Sequence, residues 1–446
     1  MTKKILLVNP WICDFAAYDL WMFPLGLLHI AAVLKTAEVS LGYVDFLGRQ
    51  ESSSLVKQKD RTRTTVFGTG HFYKQPIPKP AVLSRIPRGF FRYGLAEEAI
   101  EKKLPCLNPD VILVTSGMTY WHVGVQQTIA VLRKHFKRAP IVLGGVYATL
   151  CPGHAKKHSG ADIVFGGGDF AQILRLLSSL LEIPLETSLR QMPLPDFSLL
   201  KRQDALPILG SWGCPFRCTY CASRVLYPNF KQRTPDEIIS MILYCIKQYG
   251  TKDFIFYDDA LLVNSEEFIK PVLKAVIAWG LDVRFHTPNG LHARFIDEEL
   301  SGLLFRAGFK TIRLSLESSS LDELKKNSDN KVSNEHIVRA IRLLKSGGFK
   351  KEEIGVYTLI GFPGQREENI VADMDFVHSL GAQIDLSSYS LVPQSAQWND
   401  FIRKGIIAEN TDPLLLSHTV FPLLFGGFDT VLMKKLRNYA GILNRK

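Results

Sequence analysis

The chain has 446 residues, of which 46% are hydrophobic and 22% are charged, and its formal net charge is +11. This composition excludes a disordered chain and a small disulfide scaffold. A chain of this length is expected to form two or three domains, each with its own hydrophobic core.

The N-terminal residues do not resemble a secretion signal, because the apolar run at 5–8 is short and lacks a small-residue cleavage site. The longest apolar stretch, 22–34, is interrupted by Pro24, Gly26 and His29 and is too short to span a bilayer. We therefore predict no transmembrane segment and expect the protein to lie in the cytoplasm.

Up to about residue 190, short Val/Ile-rich runs alternate with amphipathic helical patterns, which is typical of a parallel sheet covered on both faces. We therefore predict a doubly wound, Rossmann-like α/β domain over residues 1–190. The predicted strands are 4–9, 39–45, 110–115, 140–143 and 161–165, and the predicted helices include 25–35, 123–137 and 170–181.

The turns that follow four of these strands carry small or polar residues. In doubly wound sheets, ligands bind at the carboxyl ends of the strands, where tight turns need short side chains. Any single glycine pair is also consistent with a plain strand-to-helix turn. Together they favour a ligand-binding edge, formed by Asn9, Ser116, Gly144, Gly145 and Gly166.

A basic segment at about 49–103 interrupts the alternation and predicts a long insertion. It contains 12 Lys and Arg residues against 5 Asp and Glu residues. Its charge and its aromatic residues suit phosphate contacts and base stacking. However, no recognised RNA-binding module is present, so nucleic acid is disfavoured as a partner. An anionic lipid headgroup or a phosphate-bearing substrate fits the same charge.

A proline-rich linker at 191–205 leads into a second predicted domain at 206–395. Six β/α units there indicate a partial (β/α)6 barrel, whose chemistry is expected at the carboxyl ends of its strands. Residues 396–446 are predicted to form a helical C-terminal extension. The predicted barrel strands are 206–211, 253–257, 283–286, 311–316, 355–360 and 385–391.

Three of the seven cysteines, Cys214, Cys218 and Cys221, lie in one loop after the first barrel strand. This crowding is typical of a metal site in a reducing compartment rather than of a disulfide framework. A [4Fe-4S] cluster held by three thiolates leaves one iron open to a substrate or cofactor. Structural zinc needs four nitrogen or sulfur ligands, so a zinc site with a distant fourth ligand is the alternative.

The segment 213–222, Gly-Cys-Pro-Phe-Arg-Cys-Thr-Tyr-Cys-Ala, resembles the CxxxCxxC signature of the radical SAM superfamily. The resemblance implies that Cys214, Cys218 and Cys221 hold a [4Fe-4S] cluster whose open iron binds S-adenosylmethionine (SAM). One-electron reduction would then release methionine and a 5′-deoxyadenosyl radical. It also implies an electron donor of the reduced flavodoxin or ferredoxin type and a small-molecule substrate.

The resemblance extends to later strand ends and implies further SAM contacts. Asp258 and Asp259 occupy the place of the family's Gly-Gly-Glu, which receives the methionine amino group, and either could do so. For Glu317, the alternative is a salt bridge with Arg294 or Arg313. The implied SAM-binding residues are Tyr220 near the adenine, Asp258 or Asp259, Ser315 and Glu317 in the ribose-facing turn, and Gly361 and Phe362 in the adenine-facing turn.

Segments 24–34, 143–149 and 193–197 resemble the cobalamin-binding subgroup of radical SAM proteins. This implies that the ligand-binding edge of the first domain binds cobalamin and that the reaction is methyl transfer. One departure is that the DxHxxG motif is absent, and His29 and His122 are poor substitutes for its histidine. The alternatives are cobalamin-independent rearrangement, oxidation or sulfur insertion, and an RNA- or lipid-directed modification through the basic insertion.

Overall fold

The computed structural model describes residues 2–37, 39–48, 64–185, 192–319 and 331–446. They form two compact units. The first comprises the residues up to Gln203 together with Asp412–Leu414, and the second comprises Asp204–Thr411 and Leu415–Lys446. The chain leaves the first unit within the stretch where a linker is predicted.

The first unit is built on a five-stranded sheet in which all neighbouring strands are parallel. Its order is β10-β9-β8-β1-β4, so that the five strands, counted along the chain, follow the order 2-1-3-4-5. The predicted doubly wound α/β fold is confirmed. The strands of this unit are β1 (Lys4–Asn9), β2 (Ile12–Asp14), β3 (Tyr18–Asp19), β4 (Ser40–Asp45), β5 (Gly70–His71), β6 (Lys74–Pro76), β7 (Phe91–Tyr93), β8 (Val111–Val114), β9 (Ile141–Leu143) and β10 (Ile163–Val164).

Both faces of this sheet are buried, which explains why β1 is almost continuously apolar. Ile5 and Leu7 pack into one core and Leu6 and Val8 into the other, because successive side chains of a strand point to opposite faces. The helices of this unit are Leu25–Thr36, Glu97–Glu101, His122–His135, Val146–Leu150, Pro152–His158 and Phe170–Leu181, with short 3-10 helices at Ala81–Leu83, Thr119–Trp121 and Phe197–Leu199.

Part of the predicted basic insertion has regular structure. Residues 49–63 lie outside the described residues, but β7 pairs with both β2 and β6 in a three-stranded antiparallel sheet. Arg92 of β7 lies 4.2 Å from the ring centroid of Trp11 and 3.0 Å from a carboxylate oxygen of Glu97. This basic residue therefore packs and pairs within the unit instead of facing an external anion.

The second unit contains a six-stranded parallel sheet whose order, β11-β14-β15-β16-β17-β18, follows the chain. The sheet ends at the edge strands β11 and β18, as expected for a partial barrel. The strands are β11 (Ala205–Ile208), β12 (Ser211–Trp212), β13 (Lys231–Gln232), β14 (Asp253–Phe256), β15 (Arg284–His286), β16 (Phe309–Glu317), β17 (Ile354–Ile360) and β18 (Gln383–Ser388).

Helices lie between the sheet strands, and their ends follow local sequence signals. The helix Pro235–Tyr249 begins with a capping box between Thr234 and Glu237 and ends at Gly250, which has a φ of 67°. The helices of the second unit are Ser223–Leu226, Pro235–Tyr249, Ile269–Ala278, Glu298–Arg306, Asn334–Ser346, Glu367–Ser379, Ala396–Arg403, Phe421–Leu424 and Thr430–Arg445, with 3-10 helices at Ala293–Phe295 and Lys351–Glu353 and a further one, Pro413–Leu416, that begins in the first unit.

The predicted helical C-terminal extension is confirmed by the last three of these α-helices. Within the described ranges, no helix is both long enough and apolar enough to cross a membrane.

Candidate functional site

The three clustered cysteines lie on a loop of residues 213–230, here called the cysteine loop. Its two ends are joined because β12 pairs antiparallel with β13. The loop opens at Gly213, which has a φ of 74°. A Cβ at this position would lie 3.0 Å from the carbonyl oxygen of Tyr227, so both the backbone conformation and the space favour glycine.

None of the three cysteines of the loop is a fully buried residue. Cys214 and Cys218 are half-buried and Cys221 is exposed, and the Cys221 N–H donates to the Cys218 carbonyl over 3.2 Å. Burial raises the pKa of all three thiols, that of Cys221 to about 11, and the nearby charge of Asp259 adds to the effect on Cys214 and Cys221. A bound cation would reverse this preference for the protonated form, and three soft sulfur donors suit an iron–sulfur cluster.

Two residues predicted to bind SAM, one on this loop and one at the end of β16, contact each other. The hydroxyl of Tyr220 donates a hydrogen bond to Oε1 of Glu317. Glu317 ends β16 with a φ of 72°, a strained conformation for a residue other than glycine. Its Oε2 is buried and has no hydrogen-bond partner in the described part of the chain. The Glu317 side chain is therefore held in place through Oε1, while Oε2 has no hydrogen-bond donor among the described residues.

The salt-bridge partner of Glu317 is Lys331, whose Nζ lies 3.7 Å from Oε1. It is neither Arg294 nor Arg313, and Arg313 pairs with Asp385 at 2.7 Å. The buried ammonium of Lys331 also opposes the rise in pKa of Cys214 and Cys218. Sequence reasoning missed Lys331, because a lysine within a polar stretch gives no local sign of burial.

The two parts of the chain that are predicted to lie near the adenine, Tyr220 and the turn after β17, share one apolar surface. The side chains of Tyr220 and Phe362 both pack against the cluster around Tyr389, and the rings of Phe362 and Tyr389 stack at 4.1 Å. Gly361 has a φ of 99°, and its N–H donates to Oε1 of Gln365 over 2.9 Å. The turn after β17 is therefore fixed internally and is brought to the same surface as Tyr220.

The two adjacent aspartates after β14 have different surroundings. Asp258 is buried, and its two carboxylate oxygens accept from Oγ of Ser211 at 2.6 Å and from the Gly210 N–H at 3.1 Å. Burial raises the pKa of Asp258 to about 7. Asp259 is exposed and accepts from Oγ of Ser223 at 2.6 Å. The charge of Asp259 helps to raise the pKa of Cys214 and of Cys221. Asp259 is therefore the aspartate that faces the cysteine loop.

Ser315, the remaining predicted SAM contact, lies on β16 two residues before Glu317. The pairing of β16 with β17 shifts register between these two residues. On the other side, a Cβ added to Gly290 would lie 2.0 Å from Oγ of Ser315. Gly290 therefore lets the loop after β15 pass close to the Ser315 hydroxyl, an approach that the sequence pattern does not reveal.

The five residues predicted to bind cobalamin lie at the carboxyl edge of the first sheet. Oγ of Ser116 donates to the Gly144 carbonyl over 2.6 Å, which ties the end of β8 to the end of β9. Nδ2 of Asn9 donates to Asp45 over 2.9 Å and ties β1 to β4 in the same way. Strands β1 and β8 are neighbours at the point where the strand order reverses, which is where such sheets bind ligands.

Replacing Gly145 with alanine is expected to destabilise the first unit. Gly145 has a φ of 91°, and a Cβ there would lie 2.4 Å from the Ser116 carbonyl oxygen. Strain and overpacking together are expected to cost about 2–5 kcal/mol. We expect a lower urea midpoint, measured by circular dichroism, than for the wild-type chain.

Gly144→Ala is the matched control for this prediction. The nearest atom to a Cβ on Gly144, outside the chain neighbours, is the Phe165 carbonyl oxygen at 3.9 Å, an ordinary van der Waals separation. Its urea midpoint should stay near that of the wild type. Equal urea midpoints for the two variants would show that a side chain at position 145 causes neither backbone strain nor overpacking.

The two histidines considered as substitutes for the histidine of the DxHxxG motif make other contacts. Nδ1 of His29 lies 2.9 Å from the Pro193 carbonyl oxygen, and the side chain is buried. His122 is also buried, and its Nε2 lies 3.2 Å from Asp412.

Comparison with known proteins agrees with this architecture. Residues 210–377 match the family model described as the radical SAM superfamily. Cytidylyl-2-hydroxyethylphosphonate methyltransferase of Streptomyces wedmorensis is 22% identical over 472 residues, an alignment that covers 91% of this chain and 83% of that protein.

Two solved structures are similar across most of the chain. The methyltransferase TsrM from Kitasatospora setae, with cobalamin and a [4Fe-4S] cluster bound, has a TM-score of 0.66 at 15% identity and covers 91% of this chain and 78% of its own. The cobalamin-dependent enzyme OxsB, with aqua-cobalamin and SAM bound, has a TM-score of 0.57 at 13% identity and covers 91% and 55%. At these identities the likeness concerns the fold.

Proposed function

Because residues 210–377 match the radical SAM superfamily, we propose that the protein cleaves SAM reductively at a [4Fe-4S] cluster held by Cys214, Cys218 and Cys221. The observation that carries the proposal is that the three cysteines, half-buried or exposed, share one loop that follows the first strand of the six-stranded parallel sheet and is closed by the pairing of β12 with β13. A cluster held by these cysteines would supply one electron to the sulfonium of SAM through its open iron.

The chain's own residues would bind and orient SAM. Asp259 accepts the methionine ammonium, because its carboxylate is exposed and faces the sulfurs, whereas both oxygens of Asp258 already accept hydrogen bonds. Glu317, with its unused Oε2, and Ser315 accept the ribose hydroxyls. The apolar surface of Tyr220 and Phe362 takes the adenine.

The two aspartates provide a paired test of these roles. Asp259→Asn is expected to weaken SAM binding to the reconstituted protein about 10- to 100-fold, since a hydrogen bond to a charged group contributes about 1.5–3 kcal/mol. Asp258→Asn should leave SAM affinity within about threefold of the wild type, because an asparagine can still accept from Gly210 and donate to Ser211. Equilibrium dialysis of labelled SAM measures both.

Asp258→Asn should instead change how stability depends on pH. The folded state raises the pKa of Asp258 from 3.8 to about 7. The stabilisation that this gives is present below about pH 4 and is lost as the pH rises to about 7. The difference in urea midpoint between Asp258→Asn and the wild type should therefore be larger at pH 8 than at pH 4. A constant difference, or a loss of SAM binding in Asp258→Asn alone, would contradict these assignments.

We propose further that the enzyme is a cobalamin-dependent methyltransferase acting on a small-molecule substrate. Support comes from the 2-1-3-4-5 parallel sheet, whose carboxyl edge is lined by Asn9, Ser116 and three glycines, and from the fold shared with cobalamin-bound TsrM. The relative from Streptomyces wedmorensis is itself a methyltransferase. Cobalamin bound at this edge would carry a methyl group, with SAM as both methyl donor and radical source.

The proposed electron donor is a reduced flavodoxin or ferredoxin, because the cluster must receive one electron per turnover. The proposed location is the cytoplasm, where thiol ligands stay reduced. An RNA- or lipid-directed reaction is less well supported, since Arg92 of the basic segment is paired with Glu97 within the first unit.

Anaerobic purification followed by a reaction with methyl-deuterated SAM tests the proposed function. We expect about four irons per chain, the cubane stoichiometry, together with bound corrin. A substrate that gains a deuterated methyl group would establish methyl transfer. Production of 5′-deoxyadenosine by protein that retains no corrin would select the cobalamin-independent alternatives of rearrangement, oxidation or sulfur insertion.

A further inference from the structure

A cluster of histidine and carboxylate side chains lies in the first unit, apart from the residues assigned above. His122, His154 and Asp412 each offer one ligand atom, and these atoms all lie within 4.8 Å of one another. We propose that these three residues bind one zinc ion.

The three side chains reach this position from distant parts of the chain. His122 begins the helix His122–His135, and His154 lies on the helix Pro152–His158. Asp412 belongs to the same unit, although it is 290 residues from His122, and its Oδ1 lies 3.2 Å from Nε2 of that histidine. The Leu414 N–H donates to the same oxygen over 2.9 Å and fixes the carboxylate.

A neighbouring hydroxyl orients the His154 ring as in protein zinc sites. The hydroxyl of Tyr147 lies 2.7 Å from Nδ1 of His154, which leaves Nε2 of that ring for an ion. Such a hydrogen bond on the second ring nitrogen is usual for histidines that bind metals. His122 is 4% exposed, and its Nδ1 is buried with no hydrogen-bond partner among the residues that the structure describes. Nε2 is the nitrogen of this ring that lies beside the Asp412 carboxylate.

The protonation states of His154 and Asp412 also favour the binding of a cation. Burial, together with the neighbouring His122, lowers the pKa of His154 to about 4, so the imidazole is neutral at pH 7. The hydrogen bond from His122 holds the pKa of Asp412 below its usual range despite burial. Two imidazoles and one carboxylate are a usual zinc ligand set that leaves a fourth position open. Calcium and magnesium prefer oxygen ligands alone.

Zinc loading of the full-length protein tests this site. The chain is first reconstituted anaerobically with iron and sulfide, so that the cysteine loop is occupied, and is then dialysed against zinc and desalted. Bound zinc per chain is measured by mass spectrometry, and the zinc K-edge absorption spectrum identifies the ligands. His154→Ala and Asp412→Asn remove one ligand each. His158→Ala is the matched control, because its ring lies 4.4 Å from that of His154 but is not part of the group.

The wild type and His158→Ala are expected to retain one zinc per chain with nitrogen and oxygen ligands at about 2.0–2.2 Å. Zinc should bind at least about tenfold more weakly to His154→Ala and Asp412→Asn, at equal iron content. Asp412→Asn decides the question if His154→Ala does not fold. Absence of zinc from the wild type, equal retention by Asp412→Asn, or sulfur ligands at about 2.3 Å would overturn the proposal. Zinc binding does not depend on SAM cleavage, so this result is separate from the proposed function.

Discussion

The Cys218→Ala variant is expected to release no 5′-deoxyadenosine from SAM under reducing, anaerobic conditions. Removing one of three thiolates leaves the cubane with two protein ligands, so the cluster is lost or cannot present one open iron. We expect the rate to fall at least about 1000-fold, which corresponds to about 4 kcal/mol in the activation barrier. Chromatography of the reaction products, together with iron analysis, measures the effect.

Cys106→Ala is the matched control for this variant. Cys106 is an exposed free cysteine outside the cysteine loop, so its removal should leave both the iron content and the release of 5′-deoxyadenosine unchanged. Two results would count against the assignment. One is normal product release by Cys218→Ala, and the other is an equal loss of activity in both variants.

Gly144→Phe is expected to abolish corrin binding and methyl transfer while leaving reductive cleavage of SAM intact. Gly144 directly follows β9 at the carboxyl edge of the first sheet, and it is not among the glycines with a positive φ. Within 4 Å, a Cβ there meets only the Phe165 carbonyl oxygen, at 3.9 Å, so the backbone accepts a Cβ at this position without overlap. An aromatic ring at this point should exclude a macrocycle that binds at the same edge.

Titration with cobalamin, followed by the corrin absorbance, should give at least about 100-fold weaker binding, a loss of about 2.7 kcal/mol. Gly144→Ala should bind corrin as the wild type does, and the urea midpoint of Gly144→Phe should stay close to that of the wild type. If Gly144→Phe binds corrin normally, the cofactor does not lie at this edge. If it fails to cleave SAM as well, the substitution acts through the fold and not through corrin.

Local patterns were sufficient to predict the main elements. The apolar run of β1 predicts the strand at 4–9 because both faces of the sheet are covered. Strand β10 is shorter than the predicted 161–165, since the side chain of Asp162 accepts from the Ile141 N–H and pairs with Arg133. Strands of two or three residues, such as β5 and β7, are too short to show a period-2 pattern, and tertiary contacts such as that of Arg92 with Trp11 stabilise them.

In the candidate site, too, local patterns can be predicted from the sequence and contacts between distant residues cannot. The spacing of the three cysteines is local, and so the sequence predicts their association directly. Which of two adjacent aspartates faces the sulfurs depends on the turn after β14, and no pattern in the sequence determines it. Contacts between distant residues, such as that of Glu317 with Lys331 or of His122 with Asp412, give no sign in a single sequence.

Mössbauer spectroscopy of protein reconstituted with ⁵⁷Fe, recorded with and without SAM, tests the central claim most directly. Three cysteine ligands predict a cubane of about four irons per chain, in which one iron alone changes its spectrum when SAM is added. A chain that takes up no iron, or that holds zinc through the three cysteines and a fourth side chain, would contradict the account. A cubane whose spectrum does not respond to SAM would contradict it equally.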